Sequence, residues 1–211
     1  MMHNIIETSW KVPFSVTTPH YGMFRVLLGR SSIVREPGSA WRLDDTVLTV
    51  RHSSAVATDD TIVFATVGGV PLPATRLSES GLDIPSSSET VELRILANAM
   101  TSGTDRTAIK HRRCAVSGEQ LNEWGTILLA TAGLHALACS ITVDDPVQIE
   151  YGDGQSHDRR AIRVVPAHIR ATCVVNDTAL LAQALLLGVG SRRSYGFGQL
   201  VIKQSAKGAN S

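Results

Sequence analysis

The sequence predicts an α+β protein of two tandem ferredoxin-like modules built on antiparallel sheets. An N-terminal module is expected at residues 1–80 and a C-terminal one, carrying a glycine-rich loop, at 81–211. Three observations predict this. Stretches in which apolar and polar residues alternate with period two, the mark of half-buried strands, are interleaved with stretches of helical spacing. In the second half they follow the order β-α-β-β-α-β, once one extra hairpin is allowed between residues 137 and 175, and that is the order of the split βαβ unit. A Gly-, Pro- and Ser-rich run from Gly68 to Ser88 separates the halves.

Trp10, Val12, Phe14 and Val16 alternate with polar residues and predict a first strand, which Pro19 stops. From His20 to about Arg30 the apolar residues Met23, Phe24, Val26 and Leu27 recur at helical spacing. Strands at 41–51 and 61–67 follow, so the first half reads β-α-β-β, a similar unit with a displaced end. After the 68–88 loop come a strand from Val91 to Ala97 and a polar, basic segment from Asn98 to Arg113. Ser117 followed by Gln120 has the form of a capping box, and Leu121, Trp124, Leu128 and Ala132 supply one face of the helix it opens. Strands near 137–143 and 147–151 are joined through Asp144, Asp145 and Pro146, and a basic turn, Gly152 to Arg160, leads into one long strand from Ala161 to Val175. Asn176 or Asp177 caps a helix whose apolar residues run from Leu180 to Leu187. Beyond a glycine loop, Leu200, Val201 and Ile202 form the closing strand.

The composition narrows the function classes. With 211 residues, 43% hydrophobic and 18% charged, the chain is long enough for a real core and too balanced for disorder. No apolar run reaches the roughly 18–20 residues of a membrane span; the longest, Ala179 to Val189, is broken by Gln183. The start lacks the basic and then apolar regions of a secretion signal, and Cys114, Cys139 and Cys173 are odd in number and outside C-x-x-C spacing, against a disulfide framework or zinc site. The expectation is a cytoplasmic protein without membrane contact. No D-x-D or H-x-x-E constellation is present, so neither a metal nor another cofactor is expected. The formal net charge of +1 is deceptive. Residues 1–105 hold 8 basic and 11 acidic side chains, while 106–211 hold 12 and 8, with the excess in Arg106, Lys110, Arg112, Arg113, Arg159, Arg160, Arg163, Arg192 and Arg193. A neutral total is compatible with one basic face.

The most informative segment is Gly188-Val189-Gly190-Ser191-Arg192-Arg193-Ser194-Tyr195-Gly196-Phe197-Gly198. Its glycines let backbone N–H groups approach an anion closely, and paired arginines supply forked donors that suit phosphate. The plainer alternative is that Gly188 ends the preceding helix and the rest is a turn with a bulge. A nucleotide loop fits poorly, because there is no G-K-[ST] ending and the glycines follow a helix rather than a strand.

A capped helix, then G-V-G-x-x-R-x-x-G-x-G and a short apolar strand, resembles the terminal glycine-rich loop of the CRISPR repeat-RNA endoribonucleases of the RAMP superfamily. The likeness is to the CasE class of type I-E systems, with type IV relatives as an alternative. Other pieces follow in order along nearly the whole chain. Tyr21-Gly22-Met23-Phe24-Arg25 falls on the family's Y-x-x-H-R, and Trp41-Arg42-Leu43 with Val47-Leu48 on its second N-terminal strand pair. Glu92 to Asn98 is similar to a strand ending R-L-R-A-N-P, with Ala99 in place of the proline, and Lys110-His111-Arg112-Arg113 before the helix bearing Trp124 matches the basic segment. The resemblance implies an RRM-like fold and metal-independent cleavage of CRISPR precursor RNA at the base of the repeat hairpin by ribose 2′-OH attack. It also implies that the protein stays on the mature crRNA among the other Cas proteins of a multisubunit effector complex. An inactive hairpin-binding subunit of such a complex is the alternative.

That reaction needs a base for the 2′-OH, a donor for the leaving oxygen and cations on the developing charge. Tyr21 matches the family tyrosine, but Phe24, which cannot transfer a proton, occupies the histidine position. The resemblance therefore points catalysis to His20, Tyr21 and Arg25, with His20 beside the matched tyrosine as the nearest titratable substitute, His111 in the basic segment as another, and Arg25 stabilising charge without acting as a base. For RNA binding it assigns Lys110, His111, Arg112, Arg113, Gly188, Gly190, Arg192 and Arg193. Trp10, Trp41 and Trp124 fall on apolar periodicities and read as core, packing is favoured for Phe197, and His52, His135, His157 and His168 read as structural.

Overall fold

The computed structural model describes residues 4–11, 25–28, 40–44, 46–53, 62–65, 71–73, 75–102, 113–116, 118–151, 160–193 and 196–203. The N-terminal strands are β1 (Ile5–Lys11), β2 (Arg25–Leu28), β3 (Trp41–Asp44), β4 (Val47–Ser53), β5 (Ile62–Ala65), β6 (Pro71–Pro73) and β7 (Thr75–Gly81). Four of them form an antiparallel sheet in the order β3-β4-β1-β7, and β2, β5 and β6 form a three-stranded one.

The C-terminal part contains β8 (Thr90–Asn98), β9 (Met100–Ser102), β10 (Arg113–Ala115), α1 (Gln120–Ala130), β11 (Leu134–Val143), β12 (Val147–Tyr151), β13 (Arg160–Val164), β14 (Pro166–Val175), α2 (Thr178–Leu187) and β15 (Leu200–Lys203). Its main sheet runs β11-β14-β8-β15. Strands β8, β11, β14 and β15 with α1 and α2 make the β-α-β-β-α-β unit, and β12 and β13 pair as the extra hairpin between β11 and β14. Both four-stranded sheets are antiparallel, as the sequence predicts.

Both helices lie on one face of the C-terminal sheet because alternate strand residues are apolar. Val91, Leu93, Ile95 and Ala97 of β8 and Ile169, Ala171, Cys173 and Val175 of β14 join Leu128, Leu129, Leu181 and Leu185 of the helices in one core. Gly125 lets α1 settle close to the sheet: a Cβ there would stand 2.4 Å from Ile141. The thiol of Cys173 in this core is pushed up to about 11, first by burial and then by Cys139. Asp177 caps α2 through its side chain, which accepts from the backbone N–H groups of Ala179 and Leu180, each at 2.9 Å. Trp10 and Trp41 are buried, and Trp124 packs partly buried on the core.

Five sequence expectations are corrected. The first described strand is Ile5–Lys11, starting five residues before the expected Trp10, with the rest of the expected strand, residues 12–16, outside the described residues. It is a central strand whose buried residues include Thr8, so its core positions lack the apolar alternation that marks a half-buried strand. Arg25–Leu28, expected in a helix, is a strand paired with Ile62–Ala65; a short apolar run such as Val26-Leu27-Leu28 carries no decisive period. The supposed loop from Gly68 to Ser88 contains β7, a polar and mostly exposed edge strand, the kind that hydrophobic pattern overlooks. The long strand 161–175 is two strands, because Pro166 has no N–H with which to continue the ladder and the chain changes partners there. At this break the Val165 N–H donates to Asn98 Oδ1 (2.9 Å) and the Val165 carbonyl accepts from Ala99 N (2.8 Å). Finally, the N-cap position of α1 is Glu119, in helical conformation and without a side-chain capping bond, two residues after the expected cap Ser117, which lies outside the described residues.

One buried cation ties the N-terminal sheet to the C-terminal unit. Arg51 of β4 is 2% exposed, and its Nε donates to Glu7 Oε2 on β1 at 2.8 Å. Its Nη1 donates to the carbonyls of Leu200 (2.5 Å) and Leu185 (3.3 Å). Burial holds this guanidinium below its ordinary pKa, while the charge and hydrogen bond of Glu7 oppose that shift. The cost of desolvating it is offset by the Glu7 ion pair and by satisfying one carbonyl at the end of α2 and another at the start of β15. Removing it strands Glu7 and two buried carbonyls. Arg51→Met is expected to lower unfolding free energy by about 3–5 kcal/mol in urea titration, with Arg51→Lys recovering only part; a change below about 0.5 kcal/mol contradicts this role.

Candidate nucleic-acid interface

The glycine loop is the junction of four parts of the molecule. Gly188 (φ +73), Gly190 (φ +74), Gly196 (φ +85) and Gly198 (φ +83) all lie in the left-handed half of conformational space. At Gly198 a Cβ would stand 2.0 Å from the carbonyl oxygen of Val189, so the two arms of the loop cross at a distance only glycine permits. Across that crossing Val189 N donates to Gly198 O (2.8 Å), and Gly198 N donates to Leu96 O of β8 (2.7 Å). Gly196 rests on the Trp41 ring, and Ser191 Oγ accepts from Asn98 Nδ2 at 3.0 Å. Phe197, 1% exposed, packs with Ile162 and Val164 of the hairpin and against Leu96, as expected of a packing residue.

This geometry sharpens the anion reading of the loop. The N–H groups of Gly188, Gly196 and Gly198 donate to Ala184, Arg193 and Leu96 carbonyls, so these glycines provide a close backbone crossing. Arg193 is exposed at the end of α2, where its Nη1 lies 3.4 Å from the carbonyls of both Leu187 and Gly188. It lines a groove of about 260 Å³ with Gly188, Gly190 and the α2 residues Leu180, Gln183 and Leu187. Arg192 holds φ +65, a conformation that costs a non-glycine residue about 1–2 kcal/mol.

Two arginines that the sequence reading did not select stand on the other face of the sheet. Along β8 the residues between the core positions are Glu92, Arg94, Leu96 and Asn98; along β14 they include His168, Arg170 and Thr172. The register sets Arg170 directly opposite Arg94. Both are exposed, Arg94 at 64%. Like charges facing each other across a ladder destabilise it by some tenths of a kcal/mol to about 1 kcal/mol, so the pair favours an anion laid over it. Beside them Lys203 and Glu92 neutralise each other at 3.1 Å, and Asp44, which bonds Arg42 Nε at 2.6 Å, reaches only within 4.0 Å of Arg94. Arg42 also donates through Nη1 to Gln199 Oε1 at 3.1 Å, bringing the N-terminal sheet to the edge of this face. The signal was present in the strand alternation, where an arginine recurs on the polar side of both strands.

Of the sequence-selected residues, His20, Tyr21, Lys110, His111 and Arg112 lie outside the described residues. Arg25 opens β2, on a strand instead of a helix, with its backbone paired to Ala65, and Arg113 opens β10 opposite Ser102. Gly188, Gly190, Arg192 and Arg193 are brought together in the loop. Among the described residues no helix is long and apolar enough to cross a membrane.

The described residues thus form an α+β protein with two antiparallel four-stranded sheets, a glycine loop crossing the C-terminal one and an arginine pair on its open face. The family model described as CRISPR associated protein matches residues 30–204, and the chain belongs to that family. The fold is shared with solved structures at low identity. The CRISPR endoribonuclease Cse3 bound to a 19-nucleotide RNA superposes with a TM-score of 0.60 and 15% identity, over 97% of this chain and 100% of that one. Thermus thermophilus Cse3, bound to an RNA representing a pre-cleavage complex, gives 0.57 and 13% over 95% and 100%. Cas6e from Escherichia coli K-12 gives 0.54 and 12% over 93% and 98%. No curated protein matches the chain.

The crossing at Gly198 makes a direct prediction. Gly198→Ala is expected to cost at least about 2 kcal/mol, combining left-handed strain with a backbone clash. Gly118→Ala, where an added Cβ meets nothing within 4 Å, serves as the control in the same thermal-denaturation series and is expected to be near neutral.

Proposed function

We propose that the chain binds the hairpin of a CRISPR repeat RNA and cuts it at the hairpin base. The ribose 2′-OH attacks the neighbouring phosphate without a metal, and the protein keeps the product within a complex of Cas proteins. The carrying observation is the Arg94–Arg170 pair, two exposed like charges in register on one sheet of a fold shared with RNA-bound Cse3. RNA hairpins are held mainly through phosphates and shape, which is what an arginine floor and an exposed Arg193 offer. Lys110, His111, Arg112, Arg113, Gly188, Gly190 and Arg192 are proposed as further RNA contacts. In catalysis Tyr21 and His20 handle protons and Arg25 stabilises charge on the phosphorane. The neighbouring solved chains from a CRISPR RNA-guided surveillance complex support the assembly part of this reading.

A second reading, hairpin binding without cleavage, is favoured by one observation: Phe24 stands where the resembling family has its histidine. Incubation with the repeat hairpin in EDTA separates the two. Cleavage of all-ribose RNA, blocked by a 2′-deoxy substitution at the cut site, is expected. Tight binding with no cleavage under any condition establishes the second reading, and no binding removes both.

Binding itself tests the interface. The double variant Arg94→Ala, Arg170→Ala is expected to weaken hairpin affinity by about one to two orders of magnitude near physiological salt and to reduce the slope of log K against log salt by about 1 per arginine. Its folding stability is expected to stay the same or rise slightly. Unchanged affinity and slope place the RNA elsewhere.

A further inference from the structure

Of the described histidines, His52 is buried and hydrogen-bonded to Thr8 Oγ1 (3.1 Å) and to the Ser53 carbonyl (3.1 Å), which leaves it no access to a substrate. His135 is exposed at the far end of β11, in register with Val174. His168 combines three features. It is on the open sheet face, two residues from Arg170 on the same strand and in register with Leu96, two residues from Arg94. Its ring is 52% exposed. And its Nε2 lies 3.0 Å from Asp144 Oδ2, a carboxylate at the corner between β11 and β12 whose backbone N–H is held by the Pro166 carbonyl at 2.9 Å.

We infer that His168, positioned by Asp144, is the general base of the cleavage reaction. This rests on the cleavage reading above and moves the role of proton acceptor from His20 to His168, Phe24 standing where the resembling family has its histidine. An Nε2–H bonded to the Asp144 carboxylate leaves Nδ1 as the acceptor nitrogen, the arrangement in which a carboxylate orients imidazole and stabilises imidazolium. Among the described residues, Asp144 from the β11–β12 corner bonds the ring, Arg170 is two positions along the same strand face, Arg94 is two positions from Leu96, the β8 residue in register with His168, and the neutral Thr142 of β11 is in register on the other side. In the step, Nδ1 takes the 2′-hydroxyl proton as the 2′-oxygen bonds to phosphorus. The bond from phosphorus to the 5′-oxygen breaks, and that oxygen takes a proton from water. The products are a 2′,3′-cyclic phosphate and a 5′-hydroxyl, and the imidazolium returns its proton to solvent. Arg94 and Arg170 stand where the phosphorane charge develops.

The test is single-turnover cleavage of the repeat hairpin by the full chain, across pH, with His168→Ala, Asp144→Asn and His20→Ala. His168→Ala is expected to slow cleavage by about 10²–10⁴-fold, to leave hairpin affinity within a few-fold, and to lose the acid limb of the pH–rate profile. Added imidazole is expected to restore part of the rate, an effect a structural role would not produce. Asp144→Asn is expected to slow cleavage less than His168→Ala while keeping affinity. A wild-type protein that cleaves, together with a His168→Ala variant of unchanged rate and profile, overturns the inference and leaves the cleavage reading intact. A wild-type protein that binds but never cleaves overturns both.

Discussion

The buried guanidinium of Arg51 is the contact on which the arrangement of the site depends. It accepts no bonds and offers donors in a fixed fork, and the structure spends them on groups from three separate segments: Glu7, the end of α2 and the start of β15. The last carbonyls of α2 are then completely accounted for. Ala184 receives Gly188 N, Leu185 receives Arg51, Leu186 receives Ala40 N at 2.9 Å, and Leu187 receives Arg193. All four donors lie outside the helix, and two of them come from the N-terminal half, Arg51 on β4 and Ala40 just before β3. Because Arg51 grips both Leu185 and Leu200, it pins the two ends of the glycine loop at once. What looks in isolation like a flexible glycine-rich segment is thereby a braced crossing.

That brace has a consequence for electrostatics. A ferredoxin-like unit covers one sheet face with helices and leaves the other open, so whatever alternates with the core residues becomes the functional surface. Here the loop and the β12–β13 hairpin cover one end of the open face through Phe197, Leu96, Ile162 and Val164. Beyond that cover Arg94 and Arg170 face each other, with the His168–Asp144 pair alongside. A pairing that weakens the isolated sheet is retained at the place where a polyanion would relieve it, the usual relation between stability and a binding surface.

Much of the C-terminal unit was legible because its strands alternate cleanly and its second helix is capped by Asp177, a side chain with a local job. The corrections share a physical origin. β1 is central and buries threonine, β7 is a polar edge, and β2 is a short apolar run whose partner is more than thirty residues away, so none of them declares itself through local period. The site was legible as chemistry before it was legible as place. The paired arginines of the loop were visible as a motif, whereas Arg94 and Arg170 are 76 positions apart and become neighbours only through the register of β8 with β14. Arg51 was silent for the same reason, since nothing near it in sequence reveals that it is buried against α2 and β15.

The claim that the open face of the C-terminal sheet is the RNA surface is tested most directly by photo-crosslinking the repeat hairpin to the intact protein and mapping the attached peptides by mass spectrometry. Crosslinks concentrated in the β8 and β14 segments around Arg94 and His168–Arg170 are the predicted result. Crosslinks confined to α1 and α2, on the helix-covered side, with none on the β8 and β14 segments, would contradict it.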